Sequence, residues 1–262
     1  MSSSQKHPGL LFVASKTLSP ALTPLAFNAW YEDTHIPQVL SLPGLTTAVR
    51  YEKLPAPLMP LFEGKEFPGL LPYEWLTLYE MPDPAYRESR GFKGLDGQSK
   101  PEERLEREIF RRAEFETRFY EGFADEPPTH LITAVIQPTP ATESDFNKWY
   151  DEEHIPMISK VPGHVKSLRY KLLDASTLTK FERTDSRPPR YLALHHFRPE
   201  ASSTGEGLPM EALVECDRTP WSLRVLENVE GMEVGFWRVK RRFDGTEGVV
   251  EWRGVDAVGS RL

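Results

Sequence analysis

Hydrophobic positions in this chain come in short runs broken by polar turns, and the runs form two matched sets. GLLFVAS at 9–15 and LITAVIQ at 131–137 are apolar stretches of strand length, each predicting a first strand. After the second, Phe146, Trp149, Tyr150 and Glu153 recur at three- and four-residue spacing, which predicts a helix with one inward face and Thr142 or Ser144 as its cap. Pro156 has no backbone N–H, so it must end, kink or restart that helix just after His154; Pro37 does the same after His35. Pro-Gly at 43–44 and 162–163 turns the chain into second strands over 46–54 and 165–173. Third strands follow at 73–81 and 190–197. Helices over 101–112, with Leu105, Ile109 and Phe110 inward, and over 221–229 lead to closing strands at 114–123 and 233–243. Strand, helix, strand, strand, helix, strand is the ferredoxin-like order, and here it occurs twice. Stretches 56–72, 91–100, 183–189 and 202–209 read as loops. Residues 246–262 read as a tail, with an edge strand over 249–252.

The two sets are also related residue by residue. Residues 27–54 align without gaps on 146–173, with 12 identities in 28 positions, including Phe27/Phe146, Trp30/Trp149, Tyr31/Tyr150, His35/His154, Arg50/Arg169 and Tyr51/Tyr170. Average residue usage gives ~2 by accident, so the chain reads as an internal duplication. The predicted division is 1–125 and 126–243 as repeats, with 244–262 as a C-terminal tail. A sheet with helices on one face leaves the other face bare, so the expected fold is α+β: two βαββαβ repeats whose sheets pack face to face. Such a barrel is complete within one chain, which predicts a monomer.

Composition narrows the partners. Hydrophobic residues make up 39% and charged residues 27% of the 262 residues, as in folded globular proteins. The formal charge of −7 lacks the basic footprint that phosphate backbones need, which excludes nucleic acid as the expected partner. No run suits a membrane span or signal peptide, and the single cysteine, Cys216, cannot pair internally; a cytoplasmic setting follows as the expectation. Gly-rich phosphate loops, G-x-S-x-G and H-x-x-x-H spacings are absent, so neither a cofactor nor a metal is expected.

The remaining chemistry lies in histidines and aromatics. His35 and His154 recur at a predicted helix end, where neighbouring acids such as Glu152 and Glu153 favour the protonated form and hence a proton donor. A purely structural role for both stays open, because a duplicated residue can reflect shared architecture. The second copy carries His154, His164, His195 and His196 against His35 alone in the matching stretch, which points to the second half as the working one. Alternation along 190–197 puts His196 with Leu192 and Leu194 on one face and His195 on the other, so one of the two shares a cavity with His154.

The pattern F-N-x-W-Y-x-x-x-H-I-P, followed by P-G and R-Y, resembles the EthD-like branch of the dimeric α+β barrel superfamily, here as a single-chain pseudo-dimer. That superfamily includes cofactor-free monooxygenases, polyketide cyclases, dehydratases, lactone isomerases and haem enzymes. Its cyclases use a His–Tyr pair, so the resemblance implies His154 with Tyr170 or Tyr150. The catalytic candidates are therefore His154, Tyr170, His196 and His35; Trp149, Tyr150, His195, Phe146 and Tyr51 are the candidates for holding substrate. The expected function is cofactor-independent acid–base chemistry on a hydrophobic, aromatic or polyketide-like molecule: dehydration, cyclisation, isomerisation or decarboxylation. The alternatives are a non-catalytic ligand-binding or stress-response protein, and a cofactor-free monooxygenase of a phenol.

Overall fold

A computed structural model describes residues 8–55, 71–121, 129–198, 207–246 and 248. The predicted loop at 56–72 (except its last two residues), much of the loop at 202–209, nearly all of the 246–262 tail and its edge strand lie outside the described residues.

The first half runs β1 (Gly9–Thr17), α1 (Pro24–Trp30), α2 (Ile36–Leu40), β2 (Ala48–Lys53), β3 (Trp75–Met81), α3 (Arg90–Lys93), α4 (Glu103–Leu105) and β4 (Ala113–Glu121). The second runs β5 (His130–Pro138), α5 (Glu143–Trp149), α6 (Ile155–Ile158), β6 (His164–Thr179), β7 (Glu182–Asp185), β8 (Tyr191–Phe197), α7 (Met210–Cys216), α8 (Pro220–Glu227) and β9 (Val229–Phe243). Strand order is β4-β1-β3-β2-β9-β5-β8-β6, and β6 pairs with β4, so eight antiparallel strands close into a barrel. Both halves contribute four strands in the same spatial order, fourth-first-third-second. The seams between them are β2–β9 and β4–β6. Instead of two sheets laid face to face with open edges, each sheet lends both edges to the other.

Three cores follow from period-2 alternation. One face of the strands fills the barrel with residues from both halves, among them Phe12, Tyr51, Tyr120, Leu131, Tyr170, Leu192 and Trp237. The outer face of the first half packs against Phe27, Trp30, Ile36 and Phe110; that of the second packs against Phe146, Trp149, Leu213 and Val225.

Three expectations need correction. The predicted strand at 165–173 continues to Thr179, and 183–185, the start of the predicted loop at 183–189, joins Glu182 in β7. The extension is polar, DASTLT, and its ladder with β4, Phe115 against Leu178 for example, holds it extended. The intervening turn has Lys180 and Phe181 at φ 53° and 68°, a conformation usually marked by Asn-Gly, and packing of the Phe181 ring against Phe110 at 5.9 Å anchors it. Second, 91–100 is not all loop: Ser89 caps α3, whose Phe92 is buried. Third, Thr142 holds the cap position of α5, yet its hydroxyl bonds to Thr139 at 2.8 Å rather than to the helix.

Candidate active site

Each first helix stops at its Trp, passes through a single wide turn (Tyr31–His35 or Tyr150–His154) and restarts at Ile-Pro. In this turn the Ile36 N–H bonds back five residues to Tyr31, and Ile155 to Tyr150. The proline one position later cannot donate, which favours the widened turn there. Its effect is to stack residues five apart: His154 lies on Trp149 at 4.2 Å and 27°, His35 on Trp30 at 4.9 Å and 22°. Tyr150 and Tyr31 meet these imidazoles edge-on at 5.1 Å.

The duplicated arginine explains much of the rest of the repeat. Arg50, fully buried, donates to Thr77 at 2.8 Å and Asn28 at 3.3 Å and lies 3.8 Å from the Tyr31 ring centre. Arg169 donates to Asn147 at 2.7 Å and lies over Tyr150 at 4.4 Å. Asn, Tyr and Arg thus recur because they clamp the first helix onto the sheet.

In the second half this frame borders a cavity of about 80 Å³, room for several water molecules. Its walls are apolar (Ile132, Leu213, Phe236 and others), with Met210 and Met232 as adaptable thioethers. Four titratable groups line it: Tyr150, His154, His195 and Asp217. Burial, helped by the Arg169 charge, pushes His154 down to about 3. Burial pushes Asp217 up to about 7. Their nearest atoms, Nδ1 and Oδ1, are 3.7 Å apart, an ion-pair distance. At pH 7 His154 is neutral and Asp217 is about half-protonated, because desolvation opposes both charges and Arg169 opposes a second cation. The expectation of a protonated His154 is therefore overturned: acids beside it in sequence matter less than the apolar shell around it. The group poised to give and take a proton near neutrality is Asp217, at the end of α7, which sequence reasoning missed. Its only signal was an acid closing a short helix whose Leu213, Val214 and Cys216 face inward.

His195 meets His154 at 5.9 Å between ring centres, and burial holds it well below the ordinary imidazole range. His196 points the other way, as the alternation predicted, into a separate cavity inside the barrel beside Tyr51, Tyr170 and Glu80. Tyr170 is therefore not brought to His154; of the two tyrosines considered, Tyr150 is. Burial holds the Tyr51, Tyr150 and Tyr170 phenols above their usual range, so all three stay protonated. Phe146 is core beneath the helix, and Trp149 both lines the cavity and donates to Ser222 at 3.0 Å. Cys216 is buried, its thiol pushed up to about 11.

The first half has its own recess, about 50 Å³, lined by His35, Tyr79, Asp96 and Thr117, with Leu178 and Arg183 supplied by the β6–β7 hairpin of the second half. Burial, with Arg50 nearby, pushes His35 down to about 4, so it too is neutral. Among the described residues no group of three or more His, Cys, Asp or Glu is placed to hold a metal ion, and no helix is long and apolar enough to cross a membrane.

No family model and no curated protein matches the chain. Solved structures do. An anthrone oxidase-like protein superposes with a TM-score of 0.51 at 12% identity, over 96% of this chain and 99% of its own. A candidate monooxygenase from Fusobacterium nucleatum subsp. nucleatum gives 0.50 at 10% identity, over 93% and 97%. At such identity the likeness is one of fold, a barrel of the dimeric α+β type.

Proposed function

We propose that this chain is a cofactor-independent enzyme that moves a proton on a hydrophobic, aromatic small molecule in the second-half cavity, by dehydration, cyclisation, isomerisation or decarboxylation. The observation that carries the reading is Asp217, poised near neutral pH inside an apolar recess beside the neutral His154 and His195. Asp217 gives and takes the proton; His154 accepts or donates a hydrogen bond without charging; the Tyr150 phenol backs His154. The cavity walls of Trp149 and Phe236 are apolar, and the two thioethers can shift to admit a flat body larger than the about 80 Å³ now open. In the same reading, 1–125 and 126–243 are two ferredoxin-like EthD-like repeats, and the chain acts in the cytoplasm as a monomer without nucleic acid or membrane.

The test is a panel of hydroxylated aromatic ketones, including anthrones, followed by absorbance and by an oxygen electrode. The expected result is substrate conversion without oxygen uptake. Asp217→Asn should lower turnover by ~10²–10⁴-fold, His154→Ala by less and His35→Ala least, with melting temperatures measured alongside. Conversion that consumes oxygen would replace the reading with an oxygenase, and saturable binding without conversion with a ligand carrier.

A further inference from the structure

The second-half cavity has a polar path leading away from it. The Ser167 hydroxyl lies 2.8 Å from His195 Nδ1, and on its other side 2.9 Å from His164 Nε2. His164, the first residue of β6, is half-buried, its ring held against Phe197 at 5.6 Å and by a bond to the Lys166 backbone. His195 is only 2% exposed, lines the cavity, and its Nε2 has no hydrogen-bond partner. A buried imidazole nitrogen of this kind costs free energy unless something in the cavity engages it.

We propose that His164, Ser167 and His195 form a relay that carries protons between solvent and the second-half cavity. The proposal rests on the reading that a proton is transferred in that cavity, and it assigns the route by which the cavity exchanges that proton with water. All hydrogen bonds in the chain can point one way. With His195 carrying its proton on Nδ1 and His164 on Nδ1, His195 Nε2 takes a proton from the cavity, and Nδ1–H passes one to Ser167 Oγ. The Ser167 O–H passes its own to His164 Nε2, and His164 Nδ1–H releases one to water. One proton enters and one leaves; both rings end neutral in the other tautomer, and no buried imidazolium forms. Delivery to the cavity is the same sequence reversed.

The first half supplies an internal control. At the matching positions Leu45 stands for His164, Ala48 for Ser167 and Tyr79 for His195. The correspondence is geometric as well, since Ser167 pairs across the sheet with His195 as Ala48 does with Tyr79. All three relay members are replaced, and Leu45 and Ala48 offer no side-chain donor or acceptor, so the path is broken, while His35, Trp30, Tyr31 and Arg50 are kept. Requirements of the fold are met in both halves, and the relay is present in one.

The experiment uses the full chain labelled with ¹⁵N-histidine and measures by NMR how fast the His195 ring N–H exchanges with water, His195→Asn supplying the assignment. Ser167→Ala and His164→Leu copy residues that the first half already accommodates, so both should keep the wild-type melting temperature. Each should slow the exchange at least tenfold, and 50 mM imidazole should restore it in His164→Leu but not in Ser167→Ala. Unchanged exchange in Ser167→Ala would overturn the relay, because protons would then reach His195 through the cavity mouth. Slowed exchange together with full turnover in Asp217→Asn would keep the relay and defeat the proposed chemistry; unchanged exchange in Ser167→Ala with turnover lost in Asp217→Asn would do the reverse.

Discussion

Replacing Asp217 by Asn tests the electrostatics of the cavity without requiring a substrate. A carboxyl raised from 3.8 to about 7 stays protonated in the folded chain where the unfolded chain has lost its proton. Between those values stability therefore falls as pH rises. At ~1.36 kcal/mol per pH unit the ceiling is about 4 kcal/mol, and since the side chain is 24% exposed, solvent reduces this to about 2 kcal/mol. His154 works in the opposite direction. Lowered from 6.5 to about 3, it stays neutral when folded and charges when unfolded, so its stabilisation is complete above pH 6.5 and is lost as pH falls towards 3. In the wild type the two slopes oppose each other between about pH 4 and 6.5. Asp217→Asn removes only the first. Urea unfolding followed by tryptophan fluorescence from pH 4.5 to 8.5 should show the variant gaining on the wild type as pH rises to 7, by about 2 kcal/mol in total, then running parallel to it. An offset that stays flat across this range would refute the raised Asp217.

Arg50→Ala should destabilise the chain by about 3 kcal/mol, since it opens a cavity and strands the Thr77 hydroxyl and Asn28 carbonyl, whereas Arg169→Ala, partly exposed beside Asp151, should cost about 1 kcal/mol in the same unfolding assay. Light scattering at micromolar concentration should report one 30.0 kDa chain, because both seams of the barrel are closed within the molecule; a dimer joined sheet to sheet would contradict this.

Elements with strong apolar periodicity could be read from the sequence directly. The runs at 9–15 and 131–137, the Trp-Tyr-His helix and the alternation that separates His195 from His196 all stand close to where the pattern put them. Lost to the sequence were features held by partners far along the chain. Residues 174–179 carry little alternation and become strand because β4 lies beside them; Lys180 and Phe181 turn without Gly or Asn because Phe110 receives the Phe181 ring. The same applies to the site. His154 reads as a cation among acids until the apolar shell is seen, and Asp217 is one acid among 39 Asp and Glu until α7 folds it into the cavity.

The β2–β9 seam has a consequence for how the protein is made. Ala48 pairs with Phe243 and Lys53 with Trp237, so the partners are separated by about 190 residues of chain. At ribosomal rates of ~5–20 residues per second, β2 leaves the ribosome about 10–40 s before the strand that will cover its edge. For that interval β1, β3, β4 and the first-half helices can assemble around Phe27 and Trp30, while the barrel-facing side of Phe12, Tyr51 and Leu78 stays wet. Closure thus waits for β9, and the nascent first half is the stage at which chaperones have a sheet edge and an apolar face to hold.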